Sequence, residues 1–171
     1  FAFSLAIFCL GFSAAFMGRI TDKHGPRLTG TISAIFFGAG IALTGWAISV
    51  QSLPMLYLSY GLIGGIGLGT GYVTPVSTMM AWFPDRPGIA TGMAIMGFGF
   101  ATLITTPIAE ALMASVGVSN TFYILGVTYF VIILFSAQYM EKPPVGWVPK
   151  GFVPKNEPEV ASLHDEKIRY D

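Results

Sequence analysis

Apolar residues run almost unbroken through the first 140 positions, interrupted four times by short polar or turn-forming stretches. No strand-like alternation competes with these runs, so the pattern predicts helices. Each run is close to the roughly 20 residues an α-helix needs to cross hydrocarbon. The expected spans cover about 1–17, 28–50, 55–82, 88–114 and 120–140. The third, about 28 residues or roughly 42 Å along a helix, must tilt, kink or protrude. Pro75 and Pro107 fall inside the third and fourth spans and are candidate kinks. The connections read as a polar turn at 18–27, a short uncharged link at 51–54, a charged link at 83–87 and a glycine turn at 115–119. Ser52 is placed to cap the third helix with Pro54 in its first turn, and Asp85 to cap the fourth.

Composition sharpens this into an integral membrane protein. Of the 171 residues 53% are hydrophobic and 11% charged, against about 25% charged in an ordinary soluble domain. Segment 141–171 holds 11 of the 18 Lys, Arg, Asp and Glu together with five prolines, a mixture that builds no core and reads as a largely extended loop. A net charge of zero offers nothing to nucleic acid. The single cysteine, Cys9, excludes a disulfide framework. The chain opens on Phe1 inside an apolar run, which predicts a piece of a longer polytopic protein.

The basic residues then orient it. Arg19, Lys23 and Arg27 flank the first connection, Arg86 lies in the third, and the other five follow the fifth span. All nine therefore fall on one side, which the positive-inside rule makes cytoplasmic. The first span must begin outside, and 141–171 must be cytoplasmic.

Chemistry-bearing residues are few. Gly61, Gly65 and Gly69, and separately Gly67 and Gly71, repeat every four residues as in small-xxx-small packing faces, and Gly88 and Gly92 repeat the device in the fourth span. The glycines do not spell a nucleotide-binding loop, and no strand precedes them. Thr70, Thr74, Ser77, Thr78, Thr102, Thr105 and Thr106 are expected to bond their own backbone or a neighbouring helix. Tyr72 stands out at mid-span, where a ring and a hydroxyl can pack and hydrogen-bond at once. Glu110 falls near the external interface, and no Asp, Glu, Lys, Arg or His lies deeper. His24 and His164 are in polar segments, so no nucleophile–base pair or metal-ligand cluster emerges. Neither an enzyme, a cofactor nor a metal is expected.

Two motifs go further. The first connection carries Gly18-x-x-x-Asp22-x-x-Gly25-x-Arg27 between two spans. Gly18 permits close approach, Gly25-Pro26 forces a turn, and Asp22 can cap a helix or pair with a guanidinium. This resembles the loop between the second and third helices of major facilitator superfamily transporters. Pro26 takes a place that is often basic there. The second stretch, Gly67-Leu-Gly-Thr-Gly-Tyr-Val-Thr-Pro-Val76, Trp82-Phe-Pro-Asp-Arg-Pro-Gly88, Ala90-Thr-Gly92 and Gly97-Phe-Gly99, is similar to the oxalate/formate antiporter family. Arg86-Pro87 stands where that family has Lys-Arg. The phrase from Pro143 to Phe152 resembles the start of its central loop.

The resemblance implies an all-α bundle, namely helices two to six of a major-facilitator N-terminal half followed by part of the central loop. It implies secondary transport of a small organic anion such as oxalate, formate, lactate or pyruvate by alternating access, in the cell membrane. A first helix and a C-terminal half of the same chain would be its partners, with the lipid bilayer. Tyr72 and Phe98 would contact substrate, Phe98 standing where the family can place a second tyrosine. Gly18, Asp22, Gly25, Arg27, Asp85 and Arg86 would serve gating. A carrier of another solute, such as a sugar or drug, and a non-transporting membrane sensor or scaffold are the alternatives.

Overall fold

The computed structural model describes residues 1–144. Helices account for nearly all of them: α1 (Ala2–His24), α2 (Pro26–Ser49), α3 (Leu53–Trp82), α4 (Pro87–Val116) and α5 (Val118–Tyr139). All five are long and apolar enough to cross a membrane. Helices pair most of their backbone groups internally, and this is the architecture that hydrocarbon tolerates. Over Tyr57–Gly64, α3 widens into a π-helical stretch.

The polar turn expected over 18–27 is mostly helix. α1 continues past the apolar run to His24, and the reversal is made by Gly25 alone, at φ 90°. Only glycine adopts that left-handed backbone at low cost, and Pro26 starts α2 immediately afterwards, where its missing N–H is no loss. Polar residues sustain a helix in water once the apolar segment has set its register. Gly117, at φ 83°, makes the α4–α5 reversal in the same way. Ser52 does occupy the N-cap position of α3, with Pro54 in the first turn, but its side chain makes no capping bond. The N-cap of α4 is Arg86, not Asp85; the Asp85 carboxylate instead lies 3.6 Å from the Arg86 guanidinium.

The interior is built from small and hydroxylated residues. Ala34, Ala47, Ala137, Thr29, Ser33, Thr44, Thr70, Thr74 and Thr121 are buried, whereas Phe8, Phe12, Phe16, Leu103 and Phe135 point outward. In lipid, apolar burial between helices brings no hydrophobic gain, so close backbone contact and hydrogen bonds hold the bundle. α3 lies between α1 and α2 and meets each through one of its glycine faces. A Cβ on Gly65 would stand 2.8 Å from the Ala6 carbonyl of α1, and one on Gly67 would strike the Phe37 main chain of α2. Gly61 faces Leu5, Gly69 faces Leu10 and Ser13, and Gly71 faces Ser33.

A second close seam, between α2 and α5, was not anticipated. Gly30 packs against Ala137, Gly38 against Phe130, Gly45 against Ser119, and Gly126 against Ala42. Its signal was present in the chain, because Gly30, Ala34, Gly38 and Ala42 also repeat every four residues.

Hydroxyls stitch these seams. Ser33 Oγ donates to Gly67 O at 2.8 Å, Ser13 Oγ to Ile66 O at 3.0 Å, and Thr74 Oγ1 to Thr29 Oγ1 at 3.1 Å. Thr78, Thr102 and Thr106 bond carbonyls one turn back in their own helices. Among the described residues no buried side-chain polar atom lacks a partner.

Candidate functional site: an aromatic pair at mid-depth and a charged junction

The 83–86 link joins α3 to α4, so both helices rise from one end of the bundle. Tyr72 lies ten residues before Trp82, and Phe98 lies eleven after Pro87. At helical rise both stand about 15 Å from that end, near the middle of a hydrocarbon core of about 30 Å. Equal depth brings them together: the ring centroids are 5.3 Å apart at an interplanar angle of 33°. Both side chains are half-buried. Thr70 and Thr74, on the neighbouring face of α3, are fully buried and bonded, so they brace the helix rather than face a cavity. Among the described residues no group hydrogen-bonds the Tyr72 hydroxyl, which leaves a donor and an acceptor free beside an aromatic surface. The pair can offer a carboxylate a phenolic hydrogen bond at one edge and an apolar wall at the other.

The charged end gathers the remaining sequence-level candidates. Gly18 lies on α1 facing α3, with Val73 Cγ1 3.9 Å from where its Cβ would be. Arg27, in the first turn of α2, is ion-paired with Glu141, just past α5. Asp22 is exposed in the last turn of α1; among the described residues its carboxylate neither caps a helix nor meets a guanidinium. Its carbonyl oxygen accepts a bond from the Lys142 ammonium. The Trp82 indole Nε1 donates to Glu141 O at 2.9 Å. Glu141, Lys142 and Trp82 are thus the participants that sequence reading missed. Position 141 had been assigned to an extended loop, yet 141–142 contact three helix ends. The rest of that loop, 145–171, lies outside the described residues.

Gly88 and Gly92 meet no neighbour among the described residues. Nothing lies within 4 Å of a Cβ placed on either, or on Gly97 or Gly99. Ala90 is the only α4 residue fully buried among those described, so the Gly88/Gly92 face of α4 meets no other described helix.

Comparison with known proteins decides the family. The Major Facilitator Superfamily sequence model matches residues 1–165. The chain belongs to that superfamily. Family membership and five apolar helices make it part of a multi-pass membrane protein. One relative, the "Uncharacterized MFS-type transporter YhjX" of Escherichia coli (strain K12), is 32% identical over 144 residues, 84% of this chain and 35% of the relative. The "Oxalate:formate antiporter" of Oxalobacter formigenes is 32% identical over 128 residues, 74% of this chain and 29% of that protein. The "Apicoplast pyruvate carrier 1" of Toxoplasma gondii is 29% identical over 98 residues, 57% of this chain and 18% of that carrier. The chain therefore spans about a third of the length of its first relatives.

Proposed function

We propose that this major-facilitator chain is part of a secondary transporter of small organic anions, mono- or dicarboxylates, working by alternating access. The observation that carries the reading is the Tyr72–Phe98 pair, held at one depth on two helices and presenting an unengaged phenol. The matched relatives named for oxalate and formate exchange and for pyruvate transport support the substrate class. A phenol–carboxylate hydrogen bond is charge-assisted, which suits selection of acids over neutral solutes. The positive counter-charge would come from residues outside this chain, since no cation is set deep in its spans. Rocking of repeated halves about a midplane site would expose the pair to each side in turn.

The junction made by Gly18, Asp22, Gly25 and Arg27, with Asp85 and Arg86 in the next charged link, gates that motion. Positions 21–27, 84–87 and 141–171 face the cytoplasm, and 51–54 and 115–119 face outside, by the one-sided distribution of basic residues.

Counterflow in proteoliposomes holding the full-length protein tests the reading. Preloaded oxalate, formate, lactate or pyruvate should accelerate uptake of labelled carboxylate, and glucose should not. Acceleration by a neutral solute alone would reject the anion assignment. In the same vesicles, a Gln51→Cys probe in a Cys9→Ser background should react only from the external side.

A further inference from the structure

Glu141 and Lys142, the second and third residues beyond α5, bind the ends of three helices. Glu141 pairs with Arg27, 114 positions earlier, at the start of α2. Its carbonyl oxygen accepts the Trp82 indole at the end of α3. Lys142 donates to the Asp22 carbonyl in the last turn of α1. Close by, Gln138 Nε2 donates to Thr31 Oγ1 at 3.4 Å.

These contacts are not what holds the bundle together. The Arg27 and Glu141 side chains are 55% and 65% exposed, and α2 is already locked to α5 by the close approaches at Gly30, Gly38 and Gly126. The last turn of α1 is held more weakly. Asp22, Lys23 and His24 are all exposed, and a single left-handed glycine separates that turn from α2. Thr21 is buried on the inner side of this turn, and the Lys142 bond to the Asp22 carbonyl fastens its exposed side.

We propose that Glu141 and Lys142 are positioning residues for the Asp22 junction: Arg27 and Trp82 fix Glu141, and the adjacent Lys142 fixes the turn that carries Asp22. This rests on the transport reading above, in which that junction gates the cycle. The start of the loop after α5 then reports its position directly to the gate. Pulling 141–142 away would loosen the end of α1, so that Thr21 is uncovered more often, while leaving the glycine seams intact.

Charge reversal in the full-length protein tests this. A membrane-impermeant maleimide is reacted with a Thr21→Cys probe in a Cys9→Ser background, because Thr21 is buried in the last turn of α1 and reacts only when that turn opens, and exchange kinetics and melting temperature are measured on the same samples. An exposed pair of this type shifts a local opening equilibrium by about two- to fivefold. Arg27→Glu and Glu141→Arg should each raise labelling by that factor and lower the maximal exchange rate similarly, with KM and melting temperature unchanged. The double reversal should restore both readouts, which a merely structural disturbance would not. Lys142→Ala, which removes one exposed ammonium, should raise labelling in the same way, and Lys142→Arg should not; this pair carries the comparison if a reversal fails to reach the membrane. Wild-type labelling in the single reversals and Lys142→Ala, or a double reversal no better than the singles, would overturn the proposal. If the wild type exchanges no carboxylate, the transport reading falls, and labelling still decides the positioning role.

Discussion

α3 and α4 make a natural pair. Each has 30 residues, each contains an internal proline, and each is rich in glycine at helical spacing. In α3 the glycines are consumed by packing: one face meets α1, the other meets α2, and hydroxyls bridge both contacts. In α4 no described residue lies within 4 Å of a Cβ on Gly88, Gly92, Gly97 or Gly99, and among the described residues of that helix only Ala90 is buried. The same small-xxx-small spacing thus serves as a scaffold in one helix and, in the other, lies on a face that meets no described helix. Glycine spacing states a capacity for close approach; whether it is used depends on where the partner helix lies. The Tyr72–Phe98 contact joins the braced helix to the one with the exposed glycine face.

The contrast can be broken most directly at the glycines, where the largest effect is expected. Gly67→Ala sets a methyl against the Phe37 main chain, which side-chain rotation cannot relieve. Overpacking of this type costs about 1–3 kcal/mol, so the detergent-solubilised protein should melt well below wild type. Gly92→Ala meets nothing within 4 Å and replaces a weak helix former by a strong one. It should melt at or above the wild-type temperature. Equal destabilisation by both substitutions would mean that α4 is packed as tightly as α3.

Tyr72→Phe comes next and probes function at the boundary between the two helices. It keeps the ring against Phe98 and removes only the hydroxyl. A hydrogen bond to a charged group contributes about 1.5–3 kcal/mol, so affinity for the best carboxylate should fall at least tenfold while melting stays unchanged. Unchanged affinity in a folded variant would make Tyr72 part of the scaffold.

How much of this was legible beforehand follows the range of each interaction. The five helices were visible because each depends only on its own run of apolar residues and on a lipid solvent that forbids other structure. The glycine faces of α3 were visible as spacing, and the hydroxyls of Thr78, Thr102 and Thr106 bond within one turn, as local sequence implies. Helix ends were less visible. α1 outlasts its apolar run because helix propagation does not stop at the membrane surface, so a ten-residue turn shrank to Gly25. The charged end was hardest. The sequence offers Asp22 as a partner for some guanidinium without naming one, and Arg27, five positions away, pairs with Glu141 across 114. That choice requires α2 and α5 to lie side by side, a fact carried by Gly30, Gly38 and Gly126 rather than by any charge. The Tyr72–Phe98 contact was partly legible: the resemblance named both positions, and equal distance from one connection explains why they meet.

The smallest expected effect belongs to Phe98→Tyr, which refines the contrast rather than breaking it. Phe98 is half-buried on α4, the helix with room around it, and its ring already touches Tyr72. Adding a hydroxyl there requires no repacking of the kind Gly67 would suffer, so folding should be preserved. Two phenols about one ring-contact apart could serve two carboxylates of a dicarboxylate, whereas a single phenol serves one. If Phe98 faces the substrate path, the variant should gain affinity for oxalate over formate by a few-fold, the modest worth of one net hydrogen bond of about 0.5–1.5 kcal/mol. That gain would indicate that the native pair is tuned to monocarboxylates. An unchanged ratio of oxalate to formate affinity, with Tyr72→Phe still impaired, would leave Tyr72 in the path and place Phe98 behind it as the wall against which the phenol is held.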